Sequence, residues 1–156
     1  MKVPTDWTSQ GIWSTLLRML GRRAWGSEEL RRACLTRYAM PDDLLDQAIL
    51  KLQDLALLND ALYAEQLLRQ CQRRGYGPRR IQSVFRTKGL ERTHVDRLLP
   101  AIYGEETDHI QELAKRKWLT MPAKLTEEQR RARLFRFLVG RGFSSQAALS
   151  VIQSLR

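Results

Sequence analysis

The sequence predicts an all-helical fold: nine helices in three tandem triplets, stacked as an elongated, curved array. Three observations predict it. Apolar residues recur at i, i+3, i+4 and i+7 along the chain, and no stretch sustains alternation of period two. The segment spanning residues 16–26 returns without gaps at 67–77 and again at 134–144. The composition, 43% hydrophobic and 28% charged over 156 residues, supports a packed core and argues against disorder.

Trp13, Leu16, Leu17 and Leu20 give the first helix its apolar face. Arg23-Ala24-Trp25-Gly26 then turns the chain into a second helix, whose first turn carries Glu28 and Glu29. Leu45, Ala48, Ile49, Leu52 and Ala56 predict a third helix over about 42–56. The second triplet opens with the face Ala64, Leu67, Leu68 and Cys71, turns at Arg74-Gly75-Tyr76-Gly77, and restarts at Pro78. Its third helix, over about 91–102, carries Val95, Leu98, Leu99 and Ile102. The third triplet reverses the order. Its extra helix, about 107–118 with Ile110, Leu113 and Ala114, precedes the helix pair, and a loop over 119–126 follows it. Thr126 caps the next helix, Arg141-Gly142-Phe143-Ser144 forms the turn, and Ala148, Val151, Ile152 and Leu155 mark the last face. The corresponding unit boundaries are 1–58, 59–104 and 105–156.

The turns share a capping grammar with a physical reason. Gly77 suits an N-cap and Pro78 the first helical position, so Tyr76 and Ile81 can pack as a hydrophobic staple. Trp25 with Leu30, and Phe143 with Ala148, take the same places, and all three aromatics are read as structural turn residues. Ala24, Gly75 and Gly142 end the preceding helices where a left-handed residue is needed, which glycine adopts with least strain.

The net charge of +10 is uneven. Residues 1–59 carry 8 basic and 7 acidic side chains, 60–104 carry 9 and 4, and 105–156 carry 10 and 6. The excess in the middle and end favours an anionic partner, nucleic acid or an acidic protein surface. The helix from Pro78 concentrates it. Arg79 and Arg80 sit in the first turn, where cations are disfavoured by roughly 0.3–1 kcal/mol each, whereas the sibling repeat has Glu28 and Glu29. Two local violations in one turn suggest a gain elsewhere. Arg73, Arg74, Arg86, Lys88 and Arg92 extend the patch, with Arg79, Gln82 and Arg86 sharing one face. Lys115, Arg116 and Lys117, and then Arg130, Arg131 and Arg133, are further candidates, although Glu112, Glu127 and Glu128 can partner them locally.

Other classes are poorly supported. No apolar run approaches the ~18 residues of a membrane span, and Met1–Asp6 lacks the apolar stretch of a signal peptide, so a cytoplasmic protein is expected. Cys34 and Cys71 read as buried, reduced thiols. His94 and His109 have no neighbours at metal spacing, so neither metal nor cofactor is expected. There is no Gly-rich phosphate loop after a strand and no nucleophile motif. The acid pairs Asp42-Asp43 and Glu105-Glu106 fall at helix starts, where carboxylates suit the dipole. An enzyme is not expected.

The runs Leu57-Leu58-Asn59-Asp60-Ala61-Leu62-Tyr63-Ala64, Arg74-Gly75-Tyr76-Gly77-Pro78-Arg79-Arg80-Ile81 and Lys88-Gly89-Leu90 resemble those of RecX proteins. So does the ending Arg136-Phe137-Leu138-Val139-Gly140-Arg141-Gly142-Phe143. Asn59 stands where the family usually has Asp, and Tyr63 where Phe is usual. The resemblance covers the chain from about residue 12. It implies three homeodomain-like units in a crescent, which bind the RecA recombinase filament and restrain its recombinase, ATPase and co-protease activities. It also implies weak, sequence-nonspecific binding of single- and double-stranded DNA, by a monomer. The rival reading is a stand-alone helix-turn-helix regulator, with Arg79, Gln82, Ser83 and Arg86 facing bases in a major groove. Three copies with unlike second-helix surfaces make a single operator awkward for it.

Overall fold

The computed structural model describes residues 6–104 and 106–155, and all regular structure among them is helical. The helices are α1 Ser9–Leu20, α2 Ser27–Tyr38, α3 Asp42–Asp54, α4 Asp60–Arg73, α5 Pro78–Thr87, α6 Arg92–Gly104, α7 Glu106–Leu119, α8 Glu127–Gly140 and α9 Ser145–Ser154. Glu105, half of one expected acid pair, lies outside the described residues, as do Met1–Thr5 of the N-terminal segment. Among those described, no helix is long and apolar enough to cross a membrane.

Helices pack chiefly within their own triplets, around three apolar clusters. Ile12, Leu16, Leu30, Cys34, Leu45 and Leu52 anchor the first, with Trp25 and Leu58. Ala64, Leu67, Cys71, Ile81, Phe85 and Ile102 anchor the second. Ile110, Ala114, Leu134, Leu138, Phe143 and Ile152 anchor the third. Cys34 and Cys71 are buried thiols, and burial pushes Cys34 up to about 11 and Cys71 upward as well, so neither is a ready nucleophile.

The capping chemistry follows the sequence. Gly26, Gly77 and Ser144 occupy the N-cap positions of the second helices, and Ser144 Oγ accepts from the Ala147 N–H. Thr126 and Gln129 form a reciprocal capping box that starts α8. Gly75 and Gly142 adopt the expected left-handed backbone, at φ +71° and +95°.

Two expectations change. Ala24 is not left-handed: α1 stops at Leu20, two residues before the point equivalent to the end of α4, and Gly21 caps it in right-handed geometry. A side-chain-bearing residue avoids the strained region by ending the helix sooner. The buried face of α1 is also rotated by one residue, to Ile12, Thr15, Leu16 and Met19. Its apolar arc is wider than one stripe, so Leu17 is left exposed at the far edge while Ile12 reaches the centre. Left-handed alanines occur instead at Ala39 and Ala56, just beyond α2 and α3.

Candidate functional site

The first and second triplets meet at Glu29. Its carboxylate accepts from the Arg23 guanidinium at 2.9 Å, from the Lys88 ammonium at 2.5 Å and from the Tyr63 hydroxyl at 2.7 Å. Burial alone would raise its pKa, but these hydrogen bonds outweigh that and hold it at about 2. Burial and the adjacent carboxylate push the Tyr63 hydroxyl upward in turn. Nearby, Asp60 caps α2 from outside by accepting from the Ser27 N–H at 2.7 Å, and the Tyr63 ring lies where a Cβ on Gly26 would have to go. Arg32 donates to the Thr87 carbonyl at 3.3 Å, beside Gly89, whose φ of +71° turns the chain out of α5.

The second and third triplets meet turn against turn. The Gly77 N–H donates to the Arg141 carbonyl at 2.8 Å, and the Arg79 N–H donates to the Gly142 carbonyl at 3.1 Å. Arg141 donates back to the Arg74 carbonyl, and its guanidinium stacks 5.1 Å from Phe137 and 5.9 Å from Tyr76. The N-terminus of α5 therefore faces carbonyls just past the C-terminus of α8. The electropositive helix end that argued for an external anion is partly answered from within the chain.

These junctions frame two adjoining clefts. One, of about 940 Å³, runs between α4 and α5, with Leu67, Cys71 and Val84 on its walls and Arg23, Arg73, Arg74, Arg80, Lys88 and Tyr76 around them. The second, of about 420 Å³, adds Arg116, Lys117 and Arg141. Arg73 and Arg74 line both, and Glu112 is the one acid among the lining residues.

The candidates from sequence therefore divide. Arg73, Arg74, Arg80, Arg116 and Lys117 come together, with Lys117 over the Phe137 ring at 5.2 Å. Lys88 lies on the same cleft but is committed to Glu29, so it is a junction residue as much as a surface charge. Arg79, Gln82 and Arg86 lie on another stripe of α5. Gln82 donates to the Tyr103 hydroxyl at 2.8 Å, and Arg79 is near Glu106, whose carboxyl burial pushes up and the guanidinium draws back. A recognition helix laid in a major groove would have to displace that contact. Arg92 is exposed and pairs with Asp96 at 3.5 Å. Lys115 and Arg133 are exposed away from both clefts. Arg131 pairs with Glu127, and Arg130 packs its guanidinium 5.1 Å from Trp118 while donating to the Met121 carbonyl. Charge counting passes over Arg23 and Arg141, yet the repeated turn already sets an arginine before its small residue in every copy. Of the turn aromatics, Trp25 and Phe143 are buried, whereas Tyr76 is half-buried and lines the larger cleft. Pro78 is buried at the start of α5. Among the described residues no group of His, Cys, Asp and Glu is placed to hold a metal ion.

Family models for the second and the third three-helix domains of RecX match residues 59–99 and 104–152. The "Regulatory protein RecX" of Pseudomonas entomophila is 32% identical over 139 residues, covering 89% of this chain and 88% of its own length. The chain belongs to the RecX family. The RecX protein of Pseudomonas syringae pv. tomato is 34% identical over 137 residues, covering 87% and 86%. In fold, the crystal structure of RecX from Lactobacillus salivarius superposes with a TM-score of 0.78 at 22% identity, covering 94% of this chain and 96% of that one. RecX is a regulatory family rather than an enzyme family, and the tandem helical architecture is common to its solved structures.

Proposed function

We propose that this RecX chain binds the RecA recombinase filament assembled on DNA and restrains its ATP turnover, strand exchange and co-protease activity, as a monomer in the cytoplasm. The observation that carries the reading is the convergence of cations from all three triplets on two joined clefts with a single acid on their walls. A partner that presents negative charge along a line, such as a nucleoprotein filament, matches such a band better than a small anion does. The repeat architecture supports it, since a serial array can span neighbouring subunits of a polymer.

The test is a titration of RecA ATP hydrolysis on single-stranded DNA, with binding to free DNA measured in the same buffer. Turnover is expected to fall at protein concentrations too low to coat the free DNA. Unchanged turnover at saturating protein would end the filament reading. Preference for one duplex sequence by orders of magnitude would transfer the case to an operator-reading regulator.

A further inference from the structure

We propose that Lys88 is a latch shared between Glu29 and the partner's nucleic-acid backbone, and that its transfer to phosphate releases the first triplet from the second. The nature of that polyanion rests on the filament reading, and the latch goes beyond it.

The two joints are built differently. Between the second and third triplets, backbone binds backbone at Gly77 with Arg141 and at Arg79 with Gly142, and a Cβ on Gly77 would collide with the facing chain. α6 also packs against α7, and no helix pair across the first joint packs as closely. Among the described residues, no backbone–backbone hydrogen bond crosses that first joint. Its crossing bonds all use a side chain: Lys88 and Tyr63 donate to Glu29, the Ser27 N–H to Asp60, and Arg32 to the Thr87 carbonyl. Side-chain bonds change partners without unfolding a helix, so the first joint is the one free to move. Its pivot falls between Leu58, 3% exposed in the first core, and Asn59, which caps α4.

Lys88 stands where this joint meets the larger cleft. Its ammonium is 2.5 Å from Glu29, yet its side chain is 34% exposed and lines the cleft. Phosphate oxygens offer it the same charge-assisted bond that the carboxylate does. A polyanion held in the cleft offers them at high local concentration, against a single carboxylate.

The cost of the exchange falls on Glu29, whose side chain is only 14% exposed. Arg23 stays with it on the same triplet, whereas Lys88 is the cation that held it across the joint. A largely buried carboxylate deprived of a cation is unfavourable, and swinging the first triplet away restores its hydration.

The experiment measures residual dipolar couplings of the full chain in a neutral stretched polyacrylamide gel, free and saturated with oligodeoxythymidine, with no recombinase present. In the free protein one alignment tensor is expected to fit all three triplets. With the oligonucleotide bound, the second and third triplets are expected to keep one tensor while the first needs its own. Lys88→Gln empties the latch, and is expected to give the bound pattern without oligonucleotide. Anisotropy of a fluorescein-labelled oligodeoxythymidine supplies a second readout. Glu29→Gln removes the internal competitor and is expected to bind about fivefold more tightly or better. Glu65→Gln removes an equal charge, from a pair with Arg97 off the cleft, and is expected to change affinity less than about twofold. One tensor for all triplets in the bound state, a first triplet already independent in the free protein, an oligonucleotide that does not bind, or equal gains from the two glutamine variants would overturn the proposal. The wild-type couplings decide it if Glu29→Gln does not fold. A latch that opens in a protein that leaves RecA turnover unchanged would sink the filament reading and leave the latch standing.

Discussion

Gly77 is required by its neighbours and not by its own dihedral. Its φ of −82° suits any residue, but a Cβ there would stand 2.6 Å from the Phe143 nitrogen and 2.7 Å from the Gly142 carbonyl carbon. Both are backbone atoms of the facing turn, so the two triplets would have to separate. Gly77→Ala is therefore expected to lose about 1–3 kcal/mol in denaturant unfolding, as forced overpacking does. Gly140 has nothing within 4 Å of its Cβ direction, and Gly140→Ala is expected to gain about 0.5 kcal/mol in the same measurement. A neutral Gly77→Ala would mean that the turns do not touch in solution. The sequence marked Gly77 as an N-cap, which it is, but could not reveal the second demand, because that comes from residues more than sixty positions away. Lys88 teaches the same lesson. Its charge reads as surface, and only the fold brings Glu29 to it.

At the level of helices the sequence was most legible, because local periodicity and capping act over a few residues. The ends of α3, α6 and α7 fall within two residues of their expected places, and the Thr126 cap starts α8. What escaped was how each helix stops. The first turn has alanine where its siblings have glycine, and the chain responds by shortening α1. Ala39 has no such escape: it closes α2 at φ +49°, exposed, with its N–H on the Leu35 carbonyl. Left-handed geometry costs a β-carbon about 1–2 kcal/mol, against roughly 0.4–1 kcal/mol for the extra freedom of an unfolded glycine. Ala39→Gly is thus expected to stabilise the chain by about 0.5 kcal/mol, read as a melting temperature higher by about 1–2 °C. A lower melting temperature would show that Ala39 does not hold the left-handed conformation.

Across the whole molecule, the repeats were visible in the sequence and the joints between them were not, since a joint is made where two turns or two helices meet by tertiary packing alone. The joint between the first two triplets depends on Glu29, and acid should weaken it. The folded pKa, about 2, lies below the ordinary value of 4.5, so its contribution is fully present above about pH 4.5 and is lost as pH falls towards 2. Wild type minus Glu29→Gln is expected to lose on the order of 2–3 kcal/mol of relative stability across that window, and a constant difference would place Glu29 in solvent.

Glu29→Arg goes further, setting a third cation against Arg23 and Lys88 where a carboxylate had bound both. Serial repeats unfold together only while their interfaces hold. Three of the four tryptophans, Trp7, Trp13 and Trp25, lie in the first triplet, Trp118 lies in the third, and the second has none. Tryptophan emission therefore reports mainly the first triplet, while circular dichroism reports all the helices. In the wild type the two urea transitions are expected to coincide. In Glu29→Arg the emission curve is expected to separate from the dichroism curve as the first triplet unfolds apart from the others. Coincident curves in the variant, at a midpoint unchanged from wild type, would mean that the Glu29 contacts do not couple the triplets.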